Sequence, residues 1–226
     1  AGMLEPSREY LTFIRDITNA YGIVLIFDEV VTFRLTTGGA QVYNGISPDM
    51  TAFGKIIGGG IPIGAFGGKE DIMKMYDPTA KMMYHSGTFN GNAISMAAGI
   101  AALKDYGAKE VDHVNRLGEL FRSECNKVFE EVGIDIWVNG VGSLSNIIFS
   151  NNLITEYRGI AKSHEELNVL MGLALINRGV FMAPRGMFCT STPMSDAEIH
   201  GAAAAIKDSL LEIMPAIREE APELIR

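Results

Sequence analysis

The chain is 226 residues long, enough for one large domain or two modest ones with a real hydrophobic core, so disulfide staples are not needed. Hydrophobic residues make up 47% and charged residues 20%, the balance of a folded globular chain, which excludes disorder and collagen-like repeats. The 19 Lys and Arg against 27 Asp and Glu give a net charge of -8, and the basic residues do not cluster, so neither nucleic acid nor a membrane surface is expected as a partner. Cys125 and Cys189 lie far apart, with no CxxC or Cys/His spacing, so no disulfide framework and no metal site is read. A reducing compartment fits. The most apolar stretches, 23–27 and 56–68, are too short or too glycine-rich to span a bilayer, and no signal-peptide pattern opens the sequence; a cytoplasmic location is expected.

In chain order, residues 6–22 predict a helix, with Tyr10, Leu11, Phe13, Ile14 and Ile17 at helical spacing and Gly22 as the stop. The continuous apolar run 23–27 predicts a parallel strand buried on both faces. Further strands are predicted at 50–53 and 61–66, a helix at 69–76, and a small-residue helix at 93–103. In the last, Ala97, Ala98, Gly99, Ala101 and Ala102 permit close packing. At Tyr106-Gly107 the character changes to a long amphipathic helix, about 110–131, which sets a domain boundary between 1–106 and 107–226. Strands follow at 135–138 and 143–149, then an exposed loop at 151–159. Ser163-His164-Glu165-Glu166 reads as a capping box opening a helix, short strands are expected at 180–182 and 187–190, and Ser195-Asp196-Ala197-Glu198 opens the last helix. The second part is thus a small α+β module. The first is α/β with only about three strands, and since a parallel sheet needs its faces and neighbours covered, this domain reads as incomplete.

Asp28 directly follows the apolar run, at the carboxyl end of a strand, where open α/β sheets place ligands; an Asp at such a place can equally cap a loop. Lys55 stands alone between a predicted strand and the run Gly58-Gly59-Gly60, and in isolation reads as a surface lysine. The glycines do not make a phosphate loop, because the lysine precedes them, no Ser or Thr follows it, and no GxGxxG is present. A carboxylate at one strand end and a lysine at the next, in a glycine-rich setting, suit an enzyme that binds a pyridine ring. Pyridoxal phosphate needs a lysine for its Schiff base and an anion to keep the ring nitrogen protonated. His113, His164 and His200 fall on predicted helices as solvated residues, and His85 is expected in a structural, backbone-bonded role.

Phe27-Asp28-Glu29-Val30, then Phe53-Gly54-Lys55-Ile56-Ile57-Gly58-Gly59-Gly60 with Pro62, Gly64 and Gly67-Gly68, then His85-Ser86-Gly87-Thr88-Phe89-Asn90-Gly91-Asn92 resemble class III aminotransferases in order and spacing. The resemblance covers essentially the whole chain and lies on the branch of the glutamate-1-semialdehyde aminomutases and the β-phenylalanine aminotransferases. It implies pyridoxal-phosphate fold type I, an incomplete large domain carrying part of a mainly parallel sheet, and a carboxyl-terminal α+β small domain. It also implies roles residue by residue. Lys55 matches the Schiff-base lysine, Asp28 the partner of the pyridine nitrogen, and Val30 the apolar residue against one ring face. Thr88 matches the hydroxyl that binds the cofactor phosphate from the neighbouring subunit, so a homodimer with sites at the interface is expected. Val31-Thr32-Phe33-Arg34 and Ala183-Pro184-Arg185-Gly186 look like the β-amino-acid enzymes, in which the residue matching Arg185 grips the substrate carboxylate; an arginine there can also make a structural ion pair. The implied reaction is amino transfer between an amino acid, a β-amino acid on this reading, and a 2-oxo acid. An aminomutase acting within one molecule is the alternative, as is a non-catalytic piece. Family members carry a further large segment before the position of Ala1, so an amino-terminal part of the same protein is expected as a partner of this chain.

Overall fold

The computed structural model describes residues 3–80 and 82–226. These form two units, residues 6–111 and residues 112–226 together with 3–5.

In the first unit, helix α1 (Arg8–Ala20) opens at Ser7, whose Oγ accepts the Tyr10 N–H at 3.2 Å, and the chain leaves it through Gly22 at φ 64°. Arg15 on α1 reaches the buried Asp49 carboxylate at 3.0 Å, which also takes Lys69 Nζ at 2.6 Å and the Leu25 N–H at 2.7 Å. The Lys69 hydrogen bond, then the Leu25 amide and Arg15, hold the Asp49 carboxyl well below the usual range. This cluster fastens α1 to the entry of two parallel strands, β1 (Ile26–Asp28) and β2 (Met50–Gly54), paired in the register Ile26 to Met50 and Asp28 to Ala52.

β1 is shorter than the apolar run predicts, and the run is not buried on both faces: Ile23, Val24 and Ile26 are 55%, 48% and 56% exposed. β1 is an edge of its sheet, so apolar side chains chosen for burial stand open among the described residues. The third strand, β3 (Gly64–Gly68), starts three residues later than predicted and runs antiparallel to β2, with Gly54 opposite Gly64. Around the strands lie a 3-10 turn at Thr32–Leu35, the short helix α2 (Gly39–Asn44), a 3-10 turn at Lys55–Gly58, and α3 (Glu70–Met73) running into a 3-10 turn at Lys74–Tyr76. Helix α4 (Ala93–Asp105) is capped by Asn92 Oδ1, which accepts the N–H groups of Ile94 and Ser95, each at 3.1 Å.

Helix α5 (Ala108–Val132) leads into the second unit, whose antiparallel sheet has the order β4 (Trp137–Val141), β5 (Leu144–Ile148), β6 (Met187–Cys189). Helices α6 (Tyr157–Ile160), α7 (Glu165–Ile176) and α8 (Asp196–Glu220) complete it. Leu117, Phe121 and Phe129 of α5 pack with Ile147 and Phe149, with Leu167, Met171 and Leu175 of α7, and with Ile206, Leu210 and Ile217 of α8 in one core. Leu4 packs on Ile148, Ile154 and Ile160, which explains why residues 3–5 group with this unit. Two local expectations are corrected. Residues 180–182 form no strand; only an isolated bridge joins Ala183 to Met187, because the chain there turns sharply around Arg185. Ser163 makes no capping box, since its Oγ donates to the Ile160 carbonyl at 2.7 Å and the cap of α7 falls on His164, whereas the box at Ser195 and Glu198 forms as expected. Among the described residues, no helix is long and apolar enough to cross a membrane.

Candidate active site

Parallel strands put their carboxyl ends on the same edge of a sheet, and this is how Asp28 and Lys55 come to one place. Asp28 is the last residue of β1, and Ala52, its partner across the ladder, lies three residues before Lys55. The Glu29 N–H donates to the Ala52 carbonyl at 2.9 Å and so extends the pairing one step past Asp28. Asp28 is exposed, and its Oδ1 accepts the Val30 N–H at 3.1 Å. Its second oxygen has no partner among the described residues.

Lys55 is exposed and adopts φ 49°. Left-handed backbone costs a non-glycine residue about 1–2 kcal/mol. Three non-glycine residues among those described adopt it, Met3, Lys55 and Arg185, and two of these are the residues that the sequence marks for chemistry. The Lys55 turn is held from below by α4. A Cβ on Gly99 would be driven into the Ile57 carbonyl oxygen and one on Gly59 into the Ala98 carbonyl oxygen, while Ser95 Oγ donates to the Pro62 carbonyl at 3.2 Å. The small residues of α4 thus let its backbone lie directly on the turn that presents the lysine. Val30 stands over the same strand end: a Cβ built on Gly54 would lie 3.3 Å from one of its methyl groups and 3.5 Å from the other. Val30 therefore forms an apolar wall beside both Asp28 and the residue that precedes Lys55.

Glu29 lies in the stretch 27–30, yet the sequence assigns it no role of its own. It is 1% exposed, and its carboxylate accepts the N–H groups of Ala40 and, at 2.9 Å, Gln41, at the start of α2. The sign of its burial in the sequence is the doublet Gly38-Gly39 about ten residues on, which propensity alone reads as a loop.

Thr88 lies in the exposed turn 88–91 ahead of α4, and its hydroxyl makes no hydrogen bond among the described residues. The His85 ring makes no backbone hydrogen bond among the described residues; it stands edge-on to Phe66 at 5.3 Å and to Tyr76 at 6.0 Å. A cavity of about 770 Å³ in this unit is lined by Phe33, Phe53, Ile57, Phe66, Tyr76 and Phe89, and none of Asp28, Val30, Lys55 and Thr88 lines it.

Arg185 belongs to the second unit. It sits exposed at the tip of the turn closed by Ala183 and Met187, at φ 67° with Gly186 following at φ 80°. No hydrogen bond or ion pair holds its guanidinium among the described residues. It lines a cavity of about 120 Å³ with Asn146, Ser163, Glu165 and Asn168. The other histidines make local contacts: His113 Nε2 lies 2.9 Å from the Met194 carbonyl, His164 bridges Glu223 at 2.7 Å and Glu166 at 3.1 Å, and His200 lies 3.5 Å from Glu124. Burial pushes the Cys125 thiol up, away from reactivity. No group of metal-ligating side chains occurs among the described residues.

The first unit therefore offers a primary amine on strained backbone, an acceptor carboxylate at the neighbouring strand end and an apolar wall beside them. This donor set fits a flat heteroaromatic aldehyde better than a metal or a bare phosphate. The family model for aminotransferase class-III matches residues 1–209. A glutamate-1-semialdehyde 2,1-aminomutase of Methanosphaera stadtmanae is 37% identical over 215 residues, covering 94% of this chain and 51% of the relative. A solved β-phenylalanine aminotransferase from Variovorax paradoxus superposes with a TM-score of 0.89 at 34% identity, over 95% of this chain and 50% of that one. A solved transaminase with pyridoxal phosphate bound gives 0.87 at 33% identity, over 96% and 50%. The chain spans about half the length of the relatives it matches.

Proposed function

The chain belongs to the class-III aminotransferase family, and from that footing we propose that the protein containing it uses pyridoxal phosphate to move an amino group between an amino acid and a 2-oxo acid in the cytoplasm. The fold is the pyridoxal-phosphate fold type I of its solved neighbours. On this reading residues 1–106 are the carboxyl-terminal part of the cofactor-binding domain and residues 107–226 are the small domain.

The observation that carries the proposal is Lys55 on left-handed backbone directly past β2, with Asp28 ending the parallel neighbour β1. Lys55 would hold the cofactor through its aldehyde carbon, Asp28 would face the ring nitrogen, Val30 would pack on one ring face, and Thr88 would meet the phosphate of the partner subunit in a homodimer. When bound, the cofactor supplies an electron sink for the pair left at the substrate carbon as its proton departs. Asp28 favours the protonated ring by its charge. The Lys55 amine, once free, would take that proton from the substrate carbon and return it to the cofactor's aldehyde carbon, on the far side of the nitrogen. Arg185, with its fork of donors unclaimed, is the group that would grip the substrate carboxylate, and this favours an amino acid, and on the resemblance a β-amino acid, as donor. The remaining sheet neighbours and phosphate ligands are assigned to the amino-terminal half that the relatives carry.

A second reading rests on the identity to the aminomutases, which would shift the amino group within one molecule. Turnover of a β-amino acid by the full-length protein, with and without an added 2-oxo acid, separates the two. Strict dependence on the acceptor supports transfer between molecules, and acceptor-free conversion of an amino aldehyde acid supports the aminomutase.

A further inference from the structure

We propose that Glu29 is the positioning residue for Asp28, an internal anion that pins the 36–41 loop and the start of α2 to the strand end from which Asp28 acts. The inference rests on Asp28 facing the cofactor ring, as proposed above.

Successive side chains on a strand point to opposite faces, so Glu29 and Asp28 leave the end of β1 in opposite directions and do not compete for one ligand. Glu29 is 1% exposed, and no cation pairs with it among the described residues. Burying a carboxylate without compensation is prohibitive, and here the compensation comes from main-chain donors: the N–H of Ala40, the N–H of Gln41 at 2.9 Å, and more weakly the Thr32 hydroxyl at 3.5 Å. The loop is shaped to receive it. Gly39 adopts φ 77°, and a Cβ there would fall on the Glu29 carboxylate, so glycine is required twice over, for conformation and for space. Thr36 braces the same loop, its Oγ1 accepting the Gly38 N–H at 3.1 Å and donating to the Gly39 carbonyl at 2.8 Å.

The main chain of Glu29 completes the link. Its N–H donates to the Ala52 carbonyl at 2.9 Å, locking the residue after Asp28 into the ladder, and its carbonyl accepts the Phe33 N–H at 3.1 Å, closing a turn over residues 29–33 that contains Val30. A residue tied at its amide, its carbonyl and its carboxylate cannot rotate, and Asp28 and Val30 are its two neighbours. A glutamine in its place keeps the shape but turns one acceptor into a donor facing backbone N–H groups, so the loop loses at least one of its two bonds.

The test uses the full-length protein loaded with pyridoxal phosphate, with Asp28→Asn as the reference variant. Two readouts are taken: the pH at which the bound cofactor's absorption changes, and hydrogen exchange of the amides 39–41 in the cofactor-free protein. Asp28→Asn should shift the spectral titration strongly. Glu29→Gln should shift it in the same direction by a smaller amount, raise exchange at 39–41 about tenfold as a hydrogen bond to a buried charge is lost, and weaken cofactor binding about as much. Glu29→Asp, which keeps the charge on a shorter stem, should recover part of both and serves if Glu29→Gln does not fold. If Asp28→Asn shifts the titration while the Glu29 variants change only the melting temperature, Glu29 is structural and the proposal falls. If Asp28→Asn leaves the titration unmoved, the reading of Asp28 itself falls, and this one with it.

Discussion

Lys55 and Arg185 both sit on left-handed backbone, a conformation that costs each about 1–2 kcal/mol and that a plain surface residue has no reason to keep. The neighbouring lysines differ: Lys69 is engaged by the buried Asp49 at 2.6 Å and Lys74 by Glu70 at 3.1 Å. Borohydride reduction of the cofactor-loaded protein followed by proteolysis is therefore expected to place the pyridoxyl adduct on the peptide containing Lys55. An adduct on Lys69 or Lys74 would overturn the assignment. For Arg185, a charge-assisted contact to a carboxylate is worth about 1.5–3 kcal/mol, so Arg185→Ala should raise KM roughly 10- to 100-fold for a β-amino acid donor. The matching amine without the carboxyl group should be nearly unaffected. A ratio of the two losses near one would show that Arg185 does not touch substrate.

Helix α4 carries its function in what its side chains lack. Because a Cβ on Gly99 would be driven into the Ile57 carbonyl, Gly99→Ala must push α4 off the turn that presents Lys55. Overpacking of this kind costs about 1–3 kcal/mol, so a lower melting temperature together with weaker cofactor binding is expected. Unchanged values in both would show that the turn does not depend on α4. At the entry to α7, burial of the ring alone would lower the His164 pKa, but hydrogen bonds to Glu223 and Glu166 outweigh it and raise the net value. A histidine whose folded pKa is raised contributes stability that is full below the unfolded pKa of about 6.5 and is lost as pH rises through the folded value. Melting temperature should therefore decline from pH 6 to pH 8 more steeply in the wild type than in His164→Gln. The difference should be small, because the Glu223 side chain is 49% exposed and screened by solvent.

At the scale of the molecule the two units are built unequally. The second has a deep core, while in the first Leu35 and Val111 are the only buried hydrophobic residues among those described. Tyr10 and Phe13 on α1 and Ile23, Val24 and Ile26 in and before the edge strand β1 stand open. Exposed apolar area of this extent marks a surface meant for other protein. The full-length protein is expected to run as a dimer in light scattering, whereas the 226-residue chain expressed alone should aggregate or bind pyridoxal phosphate weakly. A soluble monomeric chain that binds the cofactor tightly would contradict this.

Local rules were enough for much of the molecule. The periodicity of residues 6–22, the amphipathic pattern of α5 and the Ser195 capping box each predict an element from neighbours within one or two turns, and α1, α5 and α8 lie where those patterns put them. The resemblance carried by the three stretches around Asp28, Lys55 and Thr88 likewise pointed to the family and implied its cofactor, and the family model matches residues 1–209. Pattern failed where long-range packing decides. Nothing in residues 61–68 tells a parallel strand from an antiparallel one, and only pairing with β2 sets the register at Gly54 and Gly64. Residues 180–182 are apolar enough for a strand, yet the turn at Arg185 and Gly186 takes the chain out of the sheet. Glu29 shows the limit most clearly: from sequence it has no role beyond its place in the stretch after β1, and only the fold brings the amides of Ala40 and Gln41 onto its carboxylate. The sequence encodes which groups are present and which local shapes they prefer, but the free energy of a buried charge depends on donors many residues away, and only the tertiary structure brings those donors to it.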